Sequence, residues 1–226
     1  MPGASEIEIE PSRVRAAVFD LGGVLIEGGP GEVRRFGNSI GIDEKTWERL
    51  RRQLFGNESS WAALERGEIS LDAFTQELRA GVARAGVEIT DQQARSFMGS
   101  DRPMSDASRL RTGLLEAITE LKQHVPLAML TNNIREWRQG WRGTAELTGL
   151  FDVIVDSSEV GTRKPEPAIY EITRGRLGVD HEDIFFVDDI GQNLKAARAL
   201  GWQTFLFREE GALVKTLELI SNRRAA

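Results

Sequence analysis

Short apolar runs separated by segments of helical period constrain this chain more than any other feature. Ala16 to Phe19, Pro126 to Leu130, Val153 to Val155, Ile184 to Val187 and Thr204 to Phe207 are each only a few residues long. A short apolar run bounded by turn residues is the pattern of a strand buried on both faces. Before the second run, Leu114, Leu115, Ile118 and Leu121 mark one helical face. After it a helix is expected from about Ile134 to Leu147, with Trp137 and Trp141 one turn apart on the same face. Glu159 to Pro167 reads as a loop, and helices through Ile169–Leu177 and Leu194–Leu200 follow, with a last one reaching about Ile220. Strands alternating with helices imply right-handed crossovers and a parallel sheet. The expected fold class is α/β, with a Rossmann-like doubly wound parallel sheet.

The stretch from about residue 28 to 105 has a different texture. Glu27-Gly28-Gly29-Pro30-Gly31 is a cluster of breakers that ends the first strand region and could serve as a hinge. Beyond it the pattern is helical. Asp43 is placed to cap a helix carrying Trp47, Leu50, Leu54 and Phe55. Ser59 or Ser60 can start another with Trp61, Leu64 and Glu65, stopped by Gly67. Ser70 opens a third with Leu71, Phe74, Leu78 and Val82 on one face, and Thr90 with Gln93 forms a capping box for a fourth. An all-helical block after a single strand reads as an insertion, with Trp47 and Trp61 packing inside it.

The chemistry-bearing residues fall where the strands end. Asp20 closes the first run, at the edge where open α/β sheets place their ligands. Gly22 and Gly23 follow it and let backbone approach an anion closely. Read alone, Asp20 caps a turn or serves as a covalent nucleophile, since a carboxylate can accept a phosphoryl group. Thr131 and Asn132 sit where a strand turns into a helix, so a hydroxyl, an amide and free N–H groups can meet an anion there. Thr131 is equally placed to be an N-cap. Lys164 stands before Pro165, which keeps it extended, and it is either a solvated loop lysine or a charge aimed at a phosphate. Asp188 and Asp189 close the fourth run, and two adjacent acids are relieved by a divalent cation or serve as cap and first-turn acid of a helix.

Composition removes other classes. A net charge of −6 argues against a general nucleic-acid binder. With no cysteine and two histidines, a disulfide framework or a zinc site is not expected. The sequence shows neither a membrane-spanning apolar run nor a signal-peptide pattern, so a cytoplasmic protein that binds no membrane is the default expectation.

Together these residues resemble the haloacid dehalogenase superfamily of phosphatases. The nucleophile motif is Phe19-Asp20-Leu21-Gly22-Gly23-Val24-Leu25, the phosphate-binding Thr is Thr131 in Leu130-Thr131-Asn132-Asn133, the lysine is Lys164 in Arg163-Lys164-Pro165, and the metal-binding acids are Asp188 and Asp189 in Val187-Asp188-Asp189-Ile190-Gly191. The resemblance implies a core of residues 12–27 and 106–226 and an inserted α-helical cap of residues 28–105. Trp61-Ala62-Ala63-Leu64-Glu65-Arg66-Gly67 resembles caps of the subgroup with sugar-phosphate phosphatases and the epoxide hydrolase phosphatase domain. The cap is expected to move about Gly28–Gly31 and a second linker near Arg102–Asp106. By the same resemblance Asp20, Thr131 and Lys164 are catalytic, and Gly22, Gly23, Thr131, Asn132 and Lys164 bind substrate. Asp20, the Gly22 carbonyl, Asp188 and Asp189 hold Mg2+, and the partner is a small phosphorylated substrate.

One position departs from the family. Its phosphatases usually carry a second aspartate two residues after the nucleophile, where this chain has Gly22. Glycine keeps a carbonyl for the metal but has no carboxyl to protonate a leaving group. The resemblance therefore implies a slow or leaving-group-selective phosphatase acting through an aspartyl-phosphate. A regulatory protein that kept the site and lost turnover is the alternative. A 2-haloacid dehalogenase is a third reading, against which the acidic pair speaks.

Overall fold

A computed structural model of the chain describes residues 9–27, 31–96 and 110–225. Five strands, β1 (Ala16–Phe19), β2 (Leu127–Thr131), β3 (Val153–Asp156), β4 (Ile184–Asp188) and β5 (Gln203–Leu206), form one parallel sheet in the order β3-β2-β1-β4-β5. Between β1 and β2 lie α1 (Gly31–Ser39), α2 (Glu44–Phe55), α3 (Ser60–Glu65), α4 (Leu71–Arg84), α5 (Asp91–Ser96) and α6 (Thr112–Leu121). After β2 come α7 (Arg138–Arg142), α8 (Ala145–Thr148), α9 (Ser157–Val160), α10 (Pro167–Leu177), α11 (Gly191–Ala199) and α12 (Glu210–Ala225).

Strand side chains alternate between faces, and each face has its own core. Ala17, Phe19, Leu127, Met129, Phe185 and Val187 pack with Leu114 and Ile118 of α6 and Leu213 and Leu217 of α12. On the opposite face, Val18, Ala128, Leu130, Ile184 and Phe186 meet Ile169 and Tyr170 of α10 and Leu194 and Ala197 of α11. Helices therefore cover both faces, which makes the sheet doubly wound. The chain goes outward from β1 to β3 and then returns to β4 on β1's other side. The carboxyl ends of β1 and β4 thus form the topological switch point, where ligands bind in such sheets.

The helices α1 to α5 build a third core from Phe36, Trp47, Leu50, Leu54, Leu64, Phe74, Leu78 and Val82, closed by Ile134 and Trp137 from the segment after β2. Their starts are capped as the sequence predicts. Asp43 accepts the Thr46 N–H at 3.0 Å, Ser70 accepts that of Ala73 at 3.2 Å, and Thr90 and Gln93 exchange bonds of 2.9 and 3.1 Å. Ser59 caps α3 through the Ala62 N–H at 3.4 Å. Trp47 and Trp61 are packing residues, stacked edge-on or tilted against Phe55. Both segments expected to act as hinges, and with them the expected boundaries of the helical block, reach into residues outside those described. Among the described residues no helix is long and apolar enough to cross a membrane.

Three segments differ from the sequence expectation. The helix expected from Ile134 to Leu147 is broken into a 3-10 turn at Arg135–Trp137, then α7 and α8. Gly140 and Gly143 weaken a continuous helix there, and the break lets the two tryptophans serve different cores. Trp141 is buried against the sheet, whereas Trp137 joins the helical block. The region read as a loop from Glu159 begins inside α9, which Gly161 ends with φ of +71°. Gly31, read as part of a breaker cluster, is instead the first residue of α1.

The turn after α3 shows how closely the helical block approaches the sheet. Gly67 has φ of +71°, and a Cβ there would stand 2.8 Å from the Ser158 carbonyl oxygen. We expect Gly67→Ala to destabilise the fold by about 1–3 kcal/mol, the cost of a non-glycine residue in a left-handed conformation. Urea denaturation checks this, and an unchanged midpoint would mean that the turn is not pressed against the sheet.

Candidate active site

Strand register sets the site's layout. Phe19 of β1 pairs with Met129 of β2 and Val187 of β4. Asp20, one residue past β1, is therefore level with Asp188, and its N–H donates to the Val187 carbonyl at 3.0 Å. Thr131 closes β2 and pairs with Asp156 at the end of β3. Four polar ends thus stand side by side along the sheet's carboxyl edge: Asp156, Thr131, Asp20 and Asp188. All four are buried.

Lys164 comes to this edge from the loop between α9 and α10. The sequence permits a solvated lysine here, but the structure buries it completely. Its Nζ lies 2.8 Å from Asp20 Oδ1, 2.8 Å from Asp188 Oδ2 and 2.9 Å from the Leu130 carbonyl oxygen. All three ammonium protons are thereby used, and the Phe186 ring lies 5.6 Å away on its far side. Asn132 clasps the lysine's backbone, its Oδ1 accepting the Lys164 N–H at 2.8 Å and its Nδ2 donating to the Lys164 carbonyl at 2.9 Å. That amide thus holds the backbone of the lysine on both sides.

The two central carboxylates are held differently. Asp188 Oδ1 accepts the Ile190 N–H at 2.7 Å, and Asn193 Nδ2 lies 3.1 Å from both Asp188 oxygens. Asp20 receives the Leu21 N–H at 2.7 Å and the lysine on the same oxygen, Oδ1. Gly23 has φ of +83°, and a Cβ there would run into the Asp189 carboxylate. Only glycine lets this turn and Asp189 approach so closely. The Gly23 N–H donates to the Ile26 carbonyl at 2.8 Å, which closes the turn.

Two carboxylates thus share one ammonium, and Asp189 stands beside them as a third acid. Burial, reinforced by Asp188 and Asp189 against the pull of Lys164, raises the Asp20 pKa well above the ordinary carboxylate range. Asp189 is pushed up to about 6, by burial first and by Asp188 second. Burial would lower Lys164, but Asp188 and Asp20 more than offset it and its pKa is raised. One ligand oxygen from each of Asp20, Asp188 and Asp189 lies within 4.8 Å of the others. A cluster of hard oxygen donors short of positive charge suits a divalent cation of the magnesium type. The residues present fit that ion.

Several residues that shape the site carry weaker sequence signals. Asp156 follows an apolar run just as Asp20 and Asp188 do, so the same pattern could have found it. It accepts the Ser158 N–H and Oγ–H at 2.9 and 2.7 Å and starts α9. Asn193 lies five residues past Asp188, one turn into α11. Glu65 and Arg163 show no such pattern. They meet as a buried ion pair, Oε2 to Nε 2.5 Å, between α3 and the residue before Lys164. Only the tertiary fold brings them together.

Comparison with known proteins places the chain in a family. Residues 14–201 match the model of a family described as haloacid dehalogenase-like hydrolase. The chain is 26% identical over 232 residues to bifunctional epoxide hydrolase 2 of Sus scrofa, covering 92% of this chain but 39% of that one. It is 29% identical to a sesquiterpene phosphatase of Aspergillus oryzae, with 83% of this chain and 86% of that one aligned. Its fold resembles a solved HAD family enzyme of Bacteroides thetaiotaomicron in complex with magnesium and inorganic phosphate. There the TM-score is 0.58 at 22% identity, over 86% of this chain and 94% of that one.

The raised Asp189 pKa has a consequence for stability. In the folded state this group keeps its proton up to about pH 6, whereas an unfolded aspartate releases it near about 3.9. The folded state binds the extra proton, so Asp189's contribution to stability falls as pH rises between those values. In chelator-treated protein, the stability of wild type relative to Asp189→Asn should therefore fall from about pH 4 to about pH 6. Added magnesium should raise the wild-type Tm more at pH 7.5 than at pH 5. Thermal unfolding across pH tests both, and a pH-independent difference would refute the assignment.

Proposed function

Because the chain belongs to the haloacid dehalogenase-like hydrolases, by its family match over residues 14–201, we propose that it is a magnesium-dependent phosphatase of a small phosphorylated metabolite. The observation that carries this reading is Lys164 seated between Asp20 and Asp188 at the switch point of the sheet. A dehalogenase working without metal gains nothing from the extra carboxylates of Asp188 and Asp189. An ion-dependent phosphatase needs them.

In this reading Asp20 is the nucleophile. Among the described residues, the Leu21 N–H and Lys164 both meet its Oδ1, so Oδ2 is the oxygen we assign to the attack on phosphorus. Its attack forms an aspartyl-phosphate and expels the alcohol oxygen with the bonding pair. Water then attacks the phosphorus, releasing inorganic phosphate and the free carboxylate. Lys164 neutralises Asp20 and Asp188 and sets its charge beside the developing negative charge. Thr131, at the end of β2, orients the phosphoryl group. Asp20, the Gly22 carbonyl, Asp188 and Asp189 would hold magnesium, which when bound screens the anionic nucleophile from the anionic ester. The helices α1 to α5 act as the cap, residues 28–105 over a core of residues 12–27 and 106–226. The phosphatase relative and the magnesium- and phosphate-bound structural neighbour support this reading.

Gly22 leaves the departing oxygen without the family's usual acid. A phosphatase lacking that help favours leaving groups that depart as stable anions. A regulatory protein that binds magnesium and phosphate without turnover is the alternative that Gly22 suggests.

Two variants test this. Asp20→Asn should abolish hydrolysis of p-nitrophenyl phosphate in the presence of magnesium while leaving the fold intact, and unchanged activity would remove Asp20 from the mechanism. If the wild type binds phosphate with magnesium but hydrolyses nothing, the regulatory reading stands instead. Gly22 lies outside the left-handed region, and a Cβ there meets nothing within 4 Å. The Cβ of Gly22→Asp therefore meets neither backbone strain nor a clash. The variant should raise the rate on alkyl phosphates more than on aryl phosphates, within the roughly 10²–10⁴-fold that acid–base catalysis supplies. A wild-type rate that is flat across leaving-group pKa would show that another group already donates the proton.

A further inference from the structure

Glu65 is the last residue of α3, in the helical block, yet its carboxylate is as buried as the sheet-edge acids. Its partner is Arg163, and the two side chains are 8% and 10% exposed. The atoms meet at 2.5 Å as an ion pair without the alignment of a good hydrogen bond. Burying such a pair costs most of the attraction it returns, and apolar residues of similar size often stabilise as well. Stability is thus a weak reason for its presence, and its position suggests another.

Arg163 directly precedes Lys164. From the sheet side, Asn132 clasps the Lys164 backbone. Glu166 holds the same loop, accepting the Thr162 hydroxyl at 2.7 Å, the Arg163 N–H at 3.2 Å and Arg66 at 3.0 Å. On the side of the helical block, Arg163 is gripped by Glu65 and also reaches Asn57 Oδ1 at 3.4 Å. The backbone of Glu65 makes a second attachment. Its carbonyl accepts the Ser157 hydroxyl at 2.6 Å, and that oxygen accepts the Asn133 N–H at 3.0 Å, two residues past Thr131. One residue of the helical block is therefore tied to the loops that present both Lys164 and Thr131.

We propose that Glu65 is a positioning residue, which through Arg163 seats the 162–166 loop and so places the Lys164 ammonium between Asp20 and Asp188. The placement of the lysine then depends on the docked helical block. The inference rests on the phosphatase reading for its kinetic consequence but on geometry alone for the position of Lys164.

The test compares Glu65→Gln, Glu65→Met and the double variant Glu65→Met/Arg163→Met in the full chain. With p-nitrophenyl phosphate and saturating magnesium, the single variants should lose about 10–100-fold in kcat, the range typical of residues that orient a ligand from behind, with little change in KM. The double variant fills the gap with apolar groups and should regain thermal stability while kcat stays low. If kcat recovers together with Tm, Glu65 is merely structural and the proposal falls. A crystal structure of the double variant decides the geometry even if the wild type hydrolyses no phosphate ester. Lys164 Nζ displaced from either carboxylate supports the inference, and Nζ still within hydrogen-bond reach of both overturns it.

Discussion

The ammonium of Lys164 is the interaction on which the rest of the site depends. Asp20 and Asp188 end neighbouring strands, so the sheet itself forces two carboxylates together in a buried place. Two like charges about 4 Å apart oppose each other by about 4 kcal/mol even at an effective dielectric near 20. Lys164 offsets that repulsion by reaching both at 2.8 Å. A buried charge without its partner is strongly destabilising, so the lysine must be held where it is. Asn132 fixes its backbone, the Leu130 carbonyl takes its third proton, and the Phe186 ring lies behind it.

The two acids that share the lysine are not equivalent. Asp188 is satisfied on both oxygens, by Ile190, Asn193 and Lys164. Its carboxylate is therefore fixed, and it serves to anchor the lysine. Among the described residues, the Leu21 N–H and the lysine both meet Asp20 on one oxygen. That difference between neighbouring strand ends follows from local hydrogen bonding rather than from residue type. Asp189, beside the turn at Gly23, adds a third acid to the cluster, with a ligand oxygen within 4.8 Å of those of Asp20 and Asp188.

The helical block is fastened to the sheet edge by contacts of two kinds. Apolar ones come from Ile134 and Trp137, which leave the sheet's own cores to complete that of the block. Polar ones come from Glu65, Arg66 and the N-terminus of α4, where the Leu71 N–H donates to Glu136 at 2.9 Å. The apolar contacts supply most of the association, because burial of nonpolar area is the larger favourable term. The polar contacts are directional, and they converge on the loops that end in Thr131 and Lys164.

Much of this was legible in the sequence because the relevant signals are local. Alternating apolar runs and helical faces specify a doubly wound sheet, since each run can only be buried by the helices beside it. Asp20, Thr131 and Asp188 could be placed at strand ends because a strand's end is marked by where its apolar run stops. The caps at Asp43, Ser59, Ser70 and Thr90 are set within three residues of themselves and needed no tertiary information. What the sequence left open is what depends on residues distant in the chain. Lys164 read equally well as a solvated loop residue until the sheet brought Asp20 and Asp188, 144 and 24 positions away in sequence, against its ammonium. The helix expected across Ile134–Leu147 is broken at a segment weakened by Gly140 and Gly143, and where its two tryptophans go, Trp141 to the sheet core and Trp137 to the helical block, is set by packing that a local pattern does not record. Glu65 and Arg163 look like ordinary surface charges in a row of letters. Only the folded chain removes both from water and sets them against each other.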